Sequence, residues 1–323
     1  MLSRVADAIY WMSRYVERAE NVARFADVSL NLALDMPSGA PEPWAALVAV
    51  TGDDAFFARA YGEPTRENVL RFLTFDREYP SSVLSCLRAA RENARTVREI
   101  ISSEMWEQVN KAYLLVREAS SLSSCLEAPH EFLAAVKEAS HLFVGTTYLP
   151  LPLDGRQHQM CIGQSFERAD KTSRILDVKD FVPGPAGSGY EELAWSALLK
   201  SASALEMYRK RHGVIVPARV LEFLVLDRRF PRSLRYCISK AERSLQAIVG
   251  ATLEGRESKA ERALGRLRAE LEFATVDDVL ARGLHAYMDA MQEKLNEVGE
   301  AVWATFVAVQ PEDDEAPRSA AAQ

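Results

Sequence analysis

The stretch that decides the fold is YWMSRYVERAENVARFADV, Tyr10 to Val28, because its second half returns 150 residues later as SFERADKTSRILDV, Ser165 to Val178. At that offset Glu17, Arg18, Ala19, Arg24, Asp27 and Val28 meet Glu167, Arg168, Ala169, Arg174, Asp177 and Val178. Beyond residue 180 the match resumes at an offset of 151. Trp44 faces Trp195, Gly62 faces Gly213, Cys86 faces Cys237, and VLRFLTFDREYP (Val69 to Pro80) faces VLEFLVLDRRFP (Val220 to Pro231). The expected organisation is therefore a tandem duplication: a first repeat over 1–150, a second over 151–310, and a disordered acidic, alanine-rich tail over 311–323.

Ser3 to Leu34 lacks Gly and Pro, and Val5, Ile9, Met12, Val16, Ala19, Ala23 and Leu30 step by threes and fours. That spacing predicts a long amphipathic helix. Further helices are expected over Trp44 to Tyr61, through Leu73, across Ser81 to Cys125 with a junction at Ser102-Ser103, and from Pro129 to Tyr148. LPLPLDG, Leu149 to Gly155, separates the halves, and VPGPAGSG, Val182 to Gly189, ends the second motif helix. Helical patterns then run from Ser233 to Val309 with breaks near Gly255 and Thr275. No segment alternates with a period of two, so the fold class is all-α: two pseudo-symmetric multi-helix halves packed as one helical unit.

Composition excludes several functions. A net charge of −7 and interleaved rather than clustered basic residues argue against nucleic-acid binding. The charged N-terminus lacks the apolar core of a secretory signal, and no run approaches membrane-spanning length, so a cytoplasmic protein without membrane attachment is expected. Four cysteines without a CxxC pair suit a reducing compartment.

On a helical wheel of the first motif helix, Tyr15, Trp11, Ala19, Met12, Ala23, Val16 and Ile9 form an apolar arc, with Glu17, Glu20 and Arg24 opposite and Arg18 at the arc's edge. A partly buried guanidinium needs acceptors, which an acid from another helix, Glu167, or an anionic ligand would supply. Glu20 with Arg24 and Asp170 with Arg174 are ordinary i, i+4 pairs. Charge patterns of this kind more often mark structural networks than sites. Retention of Glu17, Arg18, Arg24 and Asp27, while Asn21 drifted to Lys171 as a surface position would, narrows that gap. The candidate network is thus Glu17, Arg18, Glu20, Arg24 and Asp27 with Glu167, Arg168, Asp170, Arg174 and Asp177.

Other chemistry is weakly supported. Glu138-x-x-His141 has the spacing of di-iron bundles, but its only companion, Glu127-Ala-Pro-His130, falls at a Pro-marked break, so no metal site is expected. No phosphate-cradling loop, serine elbow or partnered cysteine occurs, so no cofactor and no nucleophilic catalysis are expected. His212, before Gly213, reads as a helix-end residue.

Taken together, YWMSRYVERAEN, the block from Phe75 to Asn110 and GQSFERAD resemble the alpha-E family of all-helical bacterial proteins, whose tandem Glu-Arg motif corresponds to Glu17-Arg18 and Glu167-Arg168. The resemblance covers nearly the whole chain. It implies association with a peptide synthesis or modification system containing ATP-grasp ligases, transglutaminase-like proteins and a proteasome-related peptidase. The expected function is a non-catalytic helical partner or adaptor there; the alternative is an enzyme or ligand-binding protein that uses the Glu-Arg pairs to hold an anionic substrate. One asymmetry stands out: Tyr10-Trp11 is replaced by Met160-Cys161, so the two motif helices need not do the same job.

Overall fold

A computed structural model of the chain describes residues 3–36, 42–122, 124–148, 154–178, 190–250 and 258–306. The expected inter-repeat segment at 149–153, the VPGPAGSG stretch and the tail from 311 lie outside these residues. Among the described residues every regular element is helical.

The first half contains α1 (Ser3–Asp35), α2 (Trp44–Ala49), α3 (Asp54–Tyr61), α4 (Arg66–Phe75), α5 (Val83–Thr96), α6 (Ser103–Ala119), α7 (Ser124–Glu127) and α8 (His130–Tyr148). The second contains α9 (Gly155–Val178), α10 (Tyr190–Ser201), α11 (Leu205–His212), α12 (Pro217–Leu221), α13 (Leu234–Val249), α14 (Lys259–Phe273), α15 (Val276–Arg282) and α16 (Leu284–Phe306). Start signals follow side-chain chemistry. Ser82, Ser102 and Ser233 each accept a hydrogen bond from the backbone N–H three residues on, satisfying a donor left open at the helix start.

Two expectations shift. The single helix foreseen over 44–61 is divided into α2 and α3 at Gly52, which adopts φ +75°. That left-handed conformation strains any residue with a Cβ. In the second half, Glu222–Leu226 continues α12 as a π-helical turn. It ends at Asp227, whose Oδ1 accepts the N–H groups of Arg229 and Phe230, while its carbonyl accepts Ser233 Oγ. Asp76 does the same with Glu78, Tyr79, Ser82 and Ser85 in the first half. This explains why Asp recurs in both FDREYP and LDRRFP segments: its side chain folds the loop back onto the next helix.

Packing follows one scheme twice. In the first half α1, α5, α6 and α8 close a ring of neighbours; in the second α9, α13, α14 and α16 do the same. The rings share an interface where α1 lies against α9. They pack tightly at Ser13 and Gly163, which occupy matching positions in the two motif helices. Ser13 Oγ donates to the Met160 carbonyl at 3.0 Å, and a Cβ on Gly163 would fall 2.5 Å from the Tyr10 carbonyl oxygen. Only a residue without a side chain lets the two backbones meet there.

Candidate functional site

The crossing of α1 and α9 sets the Glu-Arg dipeptides face to face, about one helical turn from Ser13 and Gly163. The pairing is reciprocal. Arg18 donates from Nε to Glu167 Oε1 at 2.7 Å and from Nη2 to Oε2 at 2.9 Å, a two-pronged contact, while Arg168 Nε donates to Glu17 Oε1 at 2.8 Å. Arg14, one turn before Arg18, adds a third bond to Glu167 at 2.9 Å. On the other side Arg232, from the loop before α13, reaches Glu17 at 3.3 Å, Glu20 at 2.8 Å and Asn21 Oδ1 at 2.6 Å.

The wheel placed Glu17 and Glu20 opposite the apolar arc, but they are 2% and 1% exposed, and Glu167 is 0% exposed. The reason is tertiary: α1 is covered by α5, α8, α9 and α10, so it has no broad solvated face. Arg18, whose edge position marked it as the charge nearest the core, is instead more open than Glu17 and Glu20, with 15% of its side chain exposed. Asn21 is buried as well, and its partner by alignment, Lys171, lies 3.8 Å from Glu167 and 3.0 Å from Asp170. Their difference is therefore a change inside the network rather than surface drift.

Burial alone would push these carboxyls up. For Glu167 that effect is outweighed by Arg18, Arg14 and Lys171, which hold it well below the usual glutamate range. Glu20 is held down in the same way against burial by Arg232, a hydrogen bond from His141, and Arg24. Arg18, desolvated but facing Glu167, stays charged with its pKa raised further. Cys86 and Cys237, buried beside the two clusters, are both pushed up to about 12 by burial. A thiol in that state is a small core group, not a nucleophile.

The remaining expected residues divide. Arg24 pairs with Glu20, and Arg174 with Asp170 at 3.0 Å, as i, i+4 bridges at the edge of the cluster. Asp27 and Asp177 stand apart from it. Asp27 accepts from Lys137 at 2.6 Å and meets His130 at 2.8 Å, tying α1 to α8; Asp177 meets His285 at 2.5 Å and Gln292 at 3.3 Å, tying α9 to α16. Arg14, Lys171 and Arg232 complete the network without having been singled out in the sequence. Arg14 had a signal, lying four residues before Arg18 on the same face. Arg232 had none, since the aligned residue is Ser81, which receives a 3.4 Å bond from Arg18 instead.

What the cluster can do chemically follows from its saturation. Glu167 accepts from two guanidiniums and Glu17 lies between two more. The hollow beside Glu17, between α1, α8 and α9, holds about 20 Å³, room for one water. Among the described residues no group of three or more His, Cys, Asp or Glu side chains could hold a metal ion. No described helix is long and apolar enough to cross a membrane.

An uncharacterized protein of Mycobacterium bovis is 26% identical over 334 residues, covering 95% of this chain and 37% of the relative. An uncharacterized protein of Mycobacterium tuberculosis is 25% identical over the same span and shares. The chain thus spans under two fifths of the length of these curated relatives. No solved structure matches it. A family model matches residues 1–307, and on that match the chain belongs to the Alpha-E family, described as a predicted alpha-helical domain with a conserved ER motif.

Proposed function

We propose that the chain is a non-catalytic interaction module, a helical partner or adaptor in a peptide synthesis or modification system with ATP-grasp ligase-type and transglutaminase-like proteins. The observation that carries it is the reciprocal crossing of the two Glu-Arg pairs. Each dipeptide spends its charges on the other, so the motif acts as a brace between halves rather than as an open acid, base or anion cradle. An enzyme relying on Glu17 or Glu167 would need a carboxylate that substrate can reach. The relatives' greater length also supports a modular role, because there the same region is one part of a longer chain.

The same reading takes the halves as copies of one ancestral helical module. Matched sequence, matched packing order and the meeting of Ser13 with Gly163 support it. Two acid-and-guanidinium helices duplicated in this way satisfy each other at the new interface, with no need for a separate acid partner.

The test is recovery of the tagged full chain from its native cell, followed by identification of stoichiometric partners. Recovery of an ATP-grasp ligase-type or transglutaminase-like protein supports the proposal; a chain that purifies alone while converting a peptide or amino-acid substrate overturns it. The double variant Arg18→Ala with Arg168→Ala discriminates further. A brace predicts a large loss of melting temperature, whereas loss of partner binding or activity at unchanged melting temperature would assign the pairs to a working site.

A further inference from the structure

Beside the braced cluster, on the side away from the small hollow, α1, α9 and α16 leave an open cavity of about 400 Å³. Its walls come from three helix faces. Asp7, Trp11 and Arg14 line it from α1, Gln159 and Asp170 from α9, and Glu300 and Trp303 from α16. The volume suits a small organic molecule or a single long side chain.

The charges in this cavity are not balanced. Arg14 is engaged by Glu167, and Asp170 is engaged by Lys171 and Arg174 at 3.0 Å each. Asp7 and Glu300 have no cationic partner among the described residues. Asp7 is half-buried, and burial raises its pKa despite a hydrogen bond from Trp11, the mark of a carboxylate short of a counter-charge. Gln159, 1% exposed, has an Oε1 with no hydrogen-bond partner. Carboxylates in the cavity therefore outnumber the cations free to meet them.

Of its two indoles, one is already occupied. Trp11 already stacks on Tyr15 at 5.4 Å and carries the Arg14 guanidinium 5.0 Å from its ring centroid. Trp303, across the cavity, is a large indole left 52% exposed. Indole faces attract cations. The matching groove on the other motif helix has Met160 and Cys161 in place of Tyr10 and Trp11, and it is the hollow of about 20 Å³. The aromatic pair and the cavity occur together, on one side only.

We propose that this cavity binds an ammonium or guanidinium group carried on an apolar stem, held between Asp7 and Glu300 and covered by Trp303. That chemistry belongs both to free diamines and guanidino compounds and to the Lys or Arg side chain of a partner peptide. The site adjoins the Glu-Arg brace through Arg14 and Asp170 and does not depend on the adaptor proposal.

The test uses the full chain and isothermal titration calorimetry with two probes, agmatine and the capped tripeptide acetyl-Gly-Arg-Gly-amide, with glutarate as an anionic comparison. Saturable binding of agmatine, of the tripeptide, or of both is expected, weakening as salt is raised. Tighter binding of agmatine assigns the site to a free small molecule, and tighter binding of the tripeptide to a peptide side chain. The pair Asp7→Asn and Glu300→Gln should weaken binding by about tenfold or more, the scale of a lost charge-assisted contact. Gly299→Leu should abolish it. Gly299 lines the cavity within a helix, and a Cβ there meets nothing within 4 Å, so a side chain at this position has room to start into the site. Its unchanged or higher melting temperature distinguishes blocking from unfolding. Failure of both cationic probes to bind, binding of glutarate instead, or binding untouched by Gly299→Leu would each overturn the proposal.

Discussion

Replacing Glu167 by Gln keeps the shape of the side chain and removes its charge, leaving Arg14 and Arg18 to face each other in the interior. Three hydrogen bonds to Glu167 lose their ionic character: those from Arg14 Nε, Arg18 Nε and Arg18 Nη2. Breaking a buried ion pair by deleting one partner costs about 3–5 kcal/mol, most of it the desolvation of the stranded charge. The two arginines keep 17% and 15% of their side chains exposed, which softens the penalty and places the expected loss near the lower end, about 3 kcal/mol. With a urea dependence of about 3 kcal/mol per molar for a chain of this size, the unfolding midpoint should fall by about 1 M at constant slope. Glu67→Gln, in the exposed pair with Arg71, serves as the control and should shift the midpoint by less than about 0.3 M. The triple variant Arg14→Met, Arg18→Met, Glu167→Leu removes the charges together and should recover most of the loss. A Glu167→Gln shift no larger than the control's would refute the view that the motif braces the two halves.

Acid should undo the same brace. The folded pKa values of Glu167 and Glu20 lie below the ordinary value of 4.5, so their contribution is complete above that pH and disappears as pH falls below it, and thermal melting in a pH series should show the onset there. Cys86 and Cys237, pushed up to about 12, should stay unmodified by a thiol reagent at pH 8 under conditions that label the partly exposed Cys125; all four should react in denaturant, and rapid native labelling of either buried thiol would contradict the packing. Arg232→Ser, which copies the aligned Ser81, should destabilise by about 1.5–3 kcal/mol because it takes one of two guanidinium partners from each of Glu17 and Glu20, leaving them Arg168 and Arg24, and an unaltered urea midpoint would exclude a structural part for Arg232.

Much of the helical order was legible because periodicity and cap chemistry are local. Ser102 and Ser233 start helices for the same reason that they stand out in the chain, a hydroxyl three residues before an open N–H. The burial of Glu17 and Glu20 was not legible. A wheel assigns one face to the core, yet α1 is wrapped by four helices from both halves, and only the tertiary arrangement decides that. Comparing the halves found the residues they share and missed those they do not. Arg232 against Ser81, and Lys171 against Asn21, carry the differences between the two clusters. The break at Gly52 escaped because Thr51-Gly52 interrupts an otherwise helical pattern without Pro.

The contact of Ser13 with Gly163 has a bearing on how the polypeptide may be cut. A scission between residues 149 and 153 would part α1 from α9, and each fragment would then carry stranded charges and an uncovered apolar flank. Neither piece is expected to stand alone, yet mixed together they hold complementary surfaces and should reassemble into a noncovalent pair, as a heterodimer would. In such an experiment each half would serve the other as a subunit does.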